Sequence, residues 1–235
     1  MDIYNKLKLL TKIISYNLKI IFAGYFIYFL IAATIFYFMV ISIMLFGNAS
    51  PDIGDIYYTI IFPGILVIFY PVVFSIQNDK DSRMLEIVFG VPNYRYKVYM
   101  VRFAITILLL IFILFLMSWF AYFAVVQIPI FKMVFELMYP LLFLACVSFL
   151  FSTLVKNGNG TAVIMVITGL IFWLLSKPLS SSKWNIFLNP FNIPDEMNIT
   201  IWANIVNQNR LILVIAAIVS ILWGLINLQS REKFV

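Results

Sequence analysis

Six stretches of this chain are apolar for long enough to cross a lipid bilayer, and that restricts the fold more than any motif does. They run over Ile20–Phe46, Ile56–Ile76, Phe103–Val126, Met133–Val155, Thr161–Ser176 and Leu211–Leu228. Each is near the roughly 20 helical residues that cover about 30 Å of hydrocarbon, the fifth being short. Inside lipid every backbone polar group must be satisfied within the protein, which leaves helices or a closed barrel. Barrel strands alternate apolar and polar residues, whereas these runs are apolar all round. With 11% charged residues and a mean hydropathy of +1.04, the chain cannot clothe a water-soluble surface. The expectation is an all-α integral membrane protein, one membrane domain over residues 1–235. A cleavable signal peptide is not expected, because the first run is too long for one.

The cationic residues orient this bundle. A net charge of +6 in a soluble chain would suggest nucleic acid, but here the charges sit between apolar runs and suit the positive-inside rule instead. With the N-terminus inside, twelve of the 16 Lys and Arg residues fall on the cytoplasmic side, and only Lys132, Lys177, Lys183 and Arg210 fall outside. Both termini are therefore expected in the cytoplasm. Cys146 is the only cysteine, so no intrachain disulfide can form.

Three segments lie between or before the spans. Residues 1–19 read as an amphipathic interfacial helix, with Leu7, Leu10, Ile14 and Leu18 on one side and Lys8, Lys12 and Lys19 on the other. Its lysines suit anionic lipid headgroups. Residues 180–210 form an outer segment of re-entrant type. It starts with Trp184 and Asn189-Pro190 and continues with a helical pattern through Met197, Ile201, Trp202, Ile205 and Val206. Residues 78–102 form the long charged island, carrying Lys80, Arg83, Arg95, Lys97 and Arg102. Within it Asp79–Phe89 reads as a short amphipathic helix with Met84, Leu85 and Val88 together, stopped by Gly90 and Pro92.

Little else carries chemistry. The chain has no histidine, no HExxH and no GxSxG, and no base neighbours Cys146 in sequence, so an enzyme is not expected. Lys156–Gly160 (KNGNG) lacks the Lys-Ser/Thr of a phosphate-binding loop and reads as a tight turn. Glu136 is the one ionisable residue within the six runs. It is either an interfacial carboxylate near Lys132 or a polar contact in an exit path. Pro63, Gly64 and Pro71 mark kinks in the second span, either gating or static, and Pro140 does the same in the fourth. Gly169 and Ala216–Ala217 are candidates for close helix packing.

The island resembles the cytoplasmic loop of the ABC type-2 exporter permeases. Leu85-Glu86, Pro92, Arg95 and Arg102 match, without gaps, the family's Leu-Glu, proline, arginine and final basic position. Arg83-Met84 stand where the family has Gly-Thr, and Tyr94 where it has Ser. The match covers about 25 residues in motif and the whole chain in architecture. The resemblance implies that this loop is a coupling helix docked on a cytoplasmic ATPase. Met84, Leu85 and Val88 would fill an apolar groove, and Asp81, Arg83, Glu86 and Arg95 would form its charged rim. Pro92 would keep the lever short.

The resemblance further implies two separate ATPase subunits, which bring ATP and Mg, and a second permease copy or paralogue. No cofactor would bind this chain itself, and nucleic acid is not an expected partner. Function is then expected to be export across a bacterial plasma (inner) membrane. The short outer loops and scarce fixed charge favour a hydrophobic or amphipathic cargo, with a toxin or antimicrobial peptide first and a lipophilic drug next. The alternatives are an ATPase-independent carrier or channel, and a membrane anchor without transport.

Overall fold

The computed structural model describes residues 3–22, 25–47, 51–81, 94–194 and 197–229. Among these residues every regular element is helical: α1 (Ile3–Phe22), α2 (Phe26–Phe46), α3 (Ile53–Val73), α4 (Ser75–Asp81), a π-helical turn (Arg95–Met100), α5 (Val101–Ala124), α6 (Ile130–Val155), α7 (Gly158–Ser176) and α8 (Ile199–Asn227). Six of them are long and apolar enough to cross a membrane: α2, α3, α5 with the last π residues, α6, α7 and α8. The protein is a multi-pass membrane protein by that criterion.

Two span starts differ from the sequence expectation by more than five residues. The first span starts at Phe26 rather than Ile20, because α1 closes at Phe22 as a helix of its own. Of its two faces, Lys8, Thr11, Lys12, Ser15 and Lys19 are exposed, while Leu18 and Ile21 pack on the bundle. The larger correction concerns the sixth span. Its helix begins at Ile199, not Leu211, and runs unbroken for 29 residues. Residues 180–210 are thus not one re-entrant segment: 177–194 run through turns without a regular helix, and 199–210 are the first turns of α8. Asn198 starts it by accepting a hydrogen bond from the Thr200 N–H at 3.3 Å. At about 1.5 Å per residue α8 is about 43 Å long, more than the hydrocarbon needs, so one end stands clear of it.

α3 is the centre of the bundle. It buries 72% of its span, against 17% for α2 and for α7. A helix apolar on every face can be central, and Ile56, Ile60 and Val67 of α3 meet Leu110 and Leu114 of α5 and Met133, Leu137 and Leu141 of α6. Gly64 permits the approach to α6: a Cβ there would lie 2.7 Å from Leu141 Cδ1. The packing role of Gly64 is therefore plain. Pro63 and Pro71 are also buried, and α3 continues through both. A capping box starts it, with Asp52 accepting from the Ile53 N–H at 2.7 Å and Asp55 accepting from the Asp52 N–H at 3.0 Å.

α3 stops two residues after Pro71, and the chain resumes as α4 after Phe74. The carbonyl of Val73, left over at this break, accepts from Ser152 Oγ of α6 at 3.2 Å. On the far side of the bundle α6 and α8 pack closely. Gly224 is what allows it, since a Cβ there would lie 2.8 Å from Phe149 Cδ1. Ala217 is buried within the chain, whereas Gly169 has open space around it.

Candidate functional site

Residues 82–93, the heart of the charged island, lie outside the described residues, and with them Arg83, Met84, Leu85, Glu86, Val88 and Pro92. What the structure describes is the base on which this loop stands. Its two stems are α4 and the π turn leading into α5.

An ion pair joins the stems. Arg102 Nη1 donates to both carboxylate oxygens of Asp79 at 3.0 Å, and Ser75 Oγ lies 3.4 Å from the same nitrogen. The side chains of Arg102 and Asp79 are 8% and 6% exposed. Arg102 also lies 5.9 Å from the centre of the Tyr99 ring. Its Nε has no hydrogen-bond partner among the described residues. A buried pair of this kind contributes little net stability, because desolvation offsets the Coulomb gain. Loss of one partner is different, since a charge is then left alone in a low-dielectric site. The pair therefore makes the two stems separate only together with both charges.

The π turn sets up the second stem. Its wider i→i+5 closure places residues five apart on one side. Tyr94 and Tyr99 accordingly share a buried cluster with Val72, Ile76, Phe149, Leu225 and Leu228. Their rings are 6.4 Å apart, and the Tyr94 hydroxyl donates to the Leu228 carbonyl at the end of α8. Arg95 opens this turn; Asp81, exposed, ends α4 and accepts from Gln77 Nε2 at 3.3 Å.

The α6–α7 turn rests on the same base. Lys156 takes a left-handed conformation (φ 59°) that closes α6, and the Asn157 side chain caps α7 by accepting from the N–H groups of Asn159 (2.9 Å) and Gly160 (3.2 Å). The Gly158 N–H donates to Gln77 Oε1 at 2.5 Å. A side chain at 158 would run into Gln77 and the Phe74 ring. Asn227 Nδ2 of α8 donates to the Thr153 carbonyl of α6 at 2.6 Å. The KNGNG stretch is thus a tight turn at Lys156–Asn157 followed at once by the start of α7, and it is seated on the α3–α4 break. Five of the six spans are tied to one another around the foot of the loop.

Sequence reasoning missed most of this base. Arg102 stood in the island as a matched basic position, and Asp79 as the start of a short helix. Neither was paired with the other, although unlike charges flanking an island at the edge of two apolar runs are the available signal. Ser75, Gln77 and Tyr99 carried no signal of their own.

Glu136 lies at the opposite end of the bundle. It pairs with Arg210 rather than with Lys132: Arg210 Nε donates to Glu136 Oε2 at 2.8 Å. Lys132 Nζ instead lies 5.6 Å from the centre of the Phe191 ring. Pro63, Gly64 and Pro71 are interior to α3, and Pro71 lies two residues before the α3–α4 break.

No family model matches the chain, no curated protein matches it, and no solved structure matches it.

Proposed function

We propose that this chain is the membrane subunit of an ATP-driven ABC exporter, with residues 82–93 as the element that receives force from a separate cytoplasmic ATPase. The observation that carries this reading is the buried Asp79–Arg102 pair across the foot of the loop. A loop that merely set topology would have no use for a charge-paired foot seated on α6, α7 and α8. A lever does: a push on the loop moves α4 and the π turn together, with α4 bonded to the start of α7 and Tyr94, just before the π turn, bonded to the end of α8. The break after Pro71 lets α4 turn against α3 without unwinding it.

In this reading both termini and the loop face the cytoplasm of a bacterial cell, and ATP and Mg stay with two partner ATPases. A second permease chain, the same or a paralogue, completes the complex. The exposed apolar faces of α2 and α7 meet lipid or that second chain. The cargo is hydrophobic or amphipathic, an antimicrobial or toxin peptide before a lipophilic drug, because among the described residues the spans hold two ion pairs and otherwise carry charge only in their first turns, at Asp55 and Lys132.

The test is purification of the tagged chain from its host in mild detergent, with identification of what accompanies it. A stoichiometric nucleotide-binding subunit is expected, and it is lost when Leu85→Asp is combined with Glu86→Arg. A homo-oligomer without ATPase, or docking unchanged by the double substitution, would overturn the proposal in favour of an ATPase-independent carrier.

A further inference from the structure

The end of the bundle opposite the loop is covered by residues 177–194, a segment of turns with an unusual share of buried polar groups. Asn185, Leu188 and Asn189 are each 3% exposed or less, and Phe187 joins the main core. Its turns pair the carbonyls of Lys177, Leu179, Ser182 and Asn185 with N–H groups of the segment itself, and neighbouring spans must pair others. They do. Asn209 Nδ2 of α8 donates to the carbonyls of Lys183 and Asn185, at 2.8 Å each. Arg210 Nη2 of α8 and the Tyr57 hydroxyl of α3 both donate to the Leu188 carbonyl, at 3.1 and 3.3 Å. Asn189 Nδ2 returns a bond to the Gly54 carbonyl of α3 at 2.9 Å.

Arg210 is the hub of this set. It holds Glu136 of α6 through Nε, Asn209 of its own helix through Nη1 and the covering segment through Nη2. We propose that residues 177–194 form a strap that closes this end of the helix core, and that the Arg210–Glu136 pair is its latch. The latch joins two events. α8 cannot part from α6 at this end without taking Arg210 from Glu136, and Arg210 cannot leave without dropping the Leu188 carbonyl. The strap therefore opens when α6 and α8 separate, and water then reaches Met133, Leu137 and Tyr57 beneath it. Polar bonds suit a cover that must reopen, since water at the bundle end can replace each of them, whereas a side chain locked in a dry core has no such substitute. The inference rests on contacts at this end alone and stands whether or not an ATPase drives the chain.

Thiol labelling tests it on the purified full chain in detergent. The background is Cys146→Ser, with Met133→Cys as the reporter beneath the strap. A water-soluble maleimide should label this reporter slowly in the parent. It should label at least about tenfold faster when Glu136→Leu and Arg210→Leu are combined, a change that removes the latch without leaving a lone charge. Glu136→Gln, which keeps an acceptor for Arg210, should fall between them. Rapid labelling in the parent, or equal rates in all three, would overturn the strap. A second experiment stands if the Leu pair does not fold. A Cβ at residue 54 would lie 3.5 Å from Asn192 Cβ, within disulfide range, so Gly54→Cys with Asn192→Cys should cross-link on mild oxidation. Failure to cross-link would remove the strap from its place over α3.

Discussion

At the scale of single residues, two buried ion pairs dominate, one at each end of a chain with few charges. Asp79–Arg102 predicts a specific pattern of stability. Arg102→Leu alone should destabilise the protein by about 3–5 kcal/mol, because the buried Asp79 loses its counter-charge. Arg102→Leu with Asp79→Leu should recover most of that loss, and unfolding of all variants in one detergent measures the cycle. A double variant as unstable as the single one would mean that shape, not charge, holds the stems. The glycines offer a sharper contrast. Gly224→Ala should cost about 1–3 kcal/mol, since its Cβ meets the Phe149 ring of α6, whereas Gly169→Ala should be neutral in the monomer because nothing lies within 4 Å. The sequence made Gly169 a packing candidate and passed over Gly224. One glycine in an apolar run looks like another, and only the position of the facing helix separates them.

At the scale of elements, α8 and the α3–α4 break carry the lessons. Residues 199–210 are helix continuous with the last span, so Ile205→Pro should damage folding by roughly 3 kcal/mol, as a proline in a helix interior does, rather than pass as a loop change. Surface expression and thermal stability of the variant check this. The helical pattern around Trp202 and Val206 was legible in sequence; its union with the span was not, because Asn207–Arg210 interrupt the apolar run. Those polar residues are no break. Asn209 and Arg210 are buried and spend their donors on the strap and on Glu136. For the break, Pro71→Ala restores the N–H that could bond the Val67 carbonyl and should let α3 run on into α4. Chain insertion should be unchanged and, under the proposed exporter function, ATP turnover of the complex in response to cargo should fall several-fold.

At the scale of the whole molecule, the orientation is the first quantity to measure. An even number of spans with the observed distribution of Lys and Arg predicts both termini on one side, the cytoplasmic one. Tags at the two ends should be shielded together from an impermeant reagent in intact cells, and accessibility of either one alone would remove the topology. The existence and order of the six long apolar helices followed from the sequence alone, as did the tight turn at Lys156–Asn157. Those properties are local: an apolar run needs no partner to prefer lipid, and a left-handed cap followed by an Asn cap needs only its neighbours. The tertiary structure alone decided that α3 is central, that Glu136 faces Arg210, that Asp79 faces Arg102, and that 177–194 lies over the core. These pairings join residues separated by 74 positions for Glu136–Arg210 and 23 for Asp79–Arg102. In lipid, helices apolar on most faces can associate in many ways, so hydrophobic pattern does not choose among them. The choice falls to a few small residues, buried charges and unpaired carbonyls, and where each finds its partner is a property of the assembled bundle.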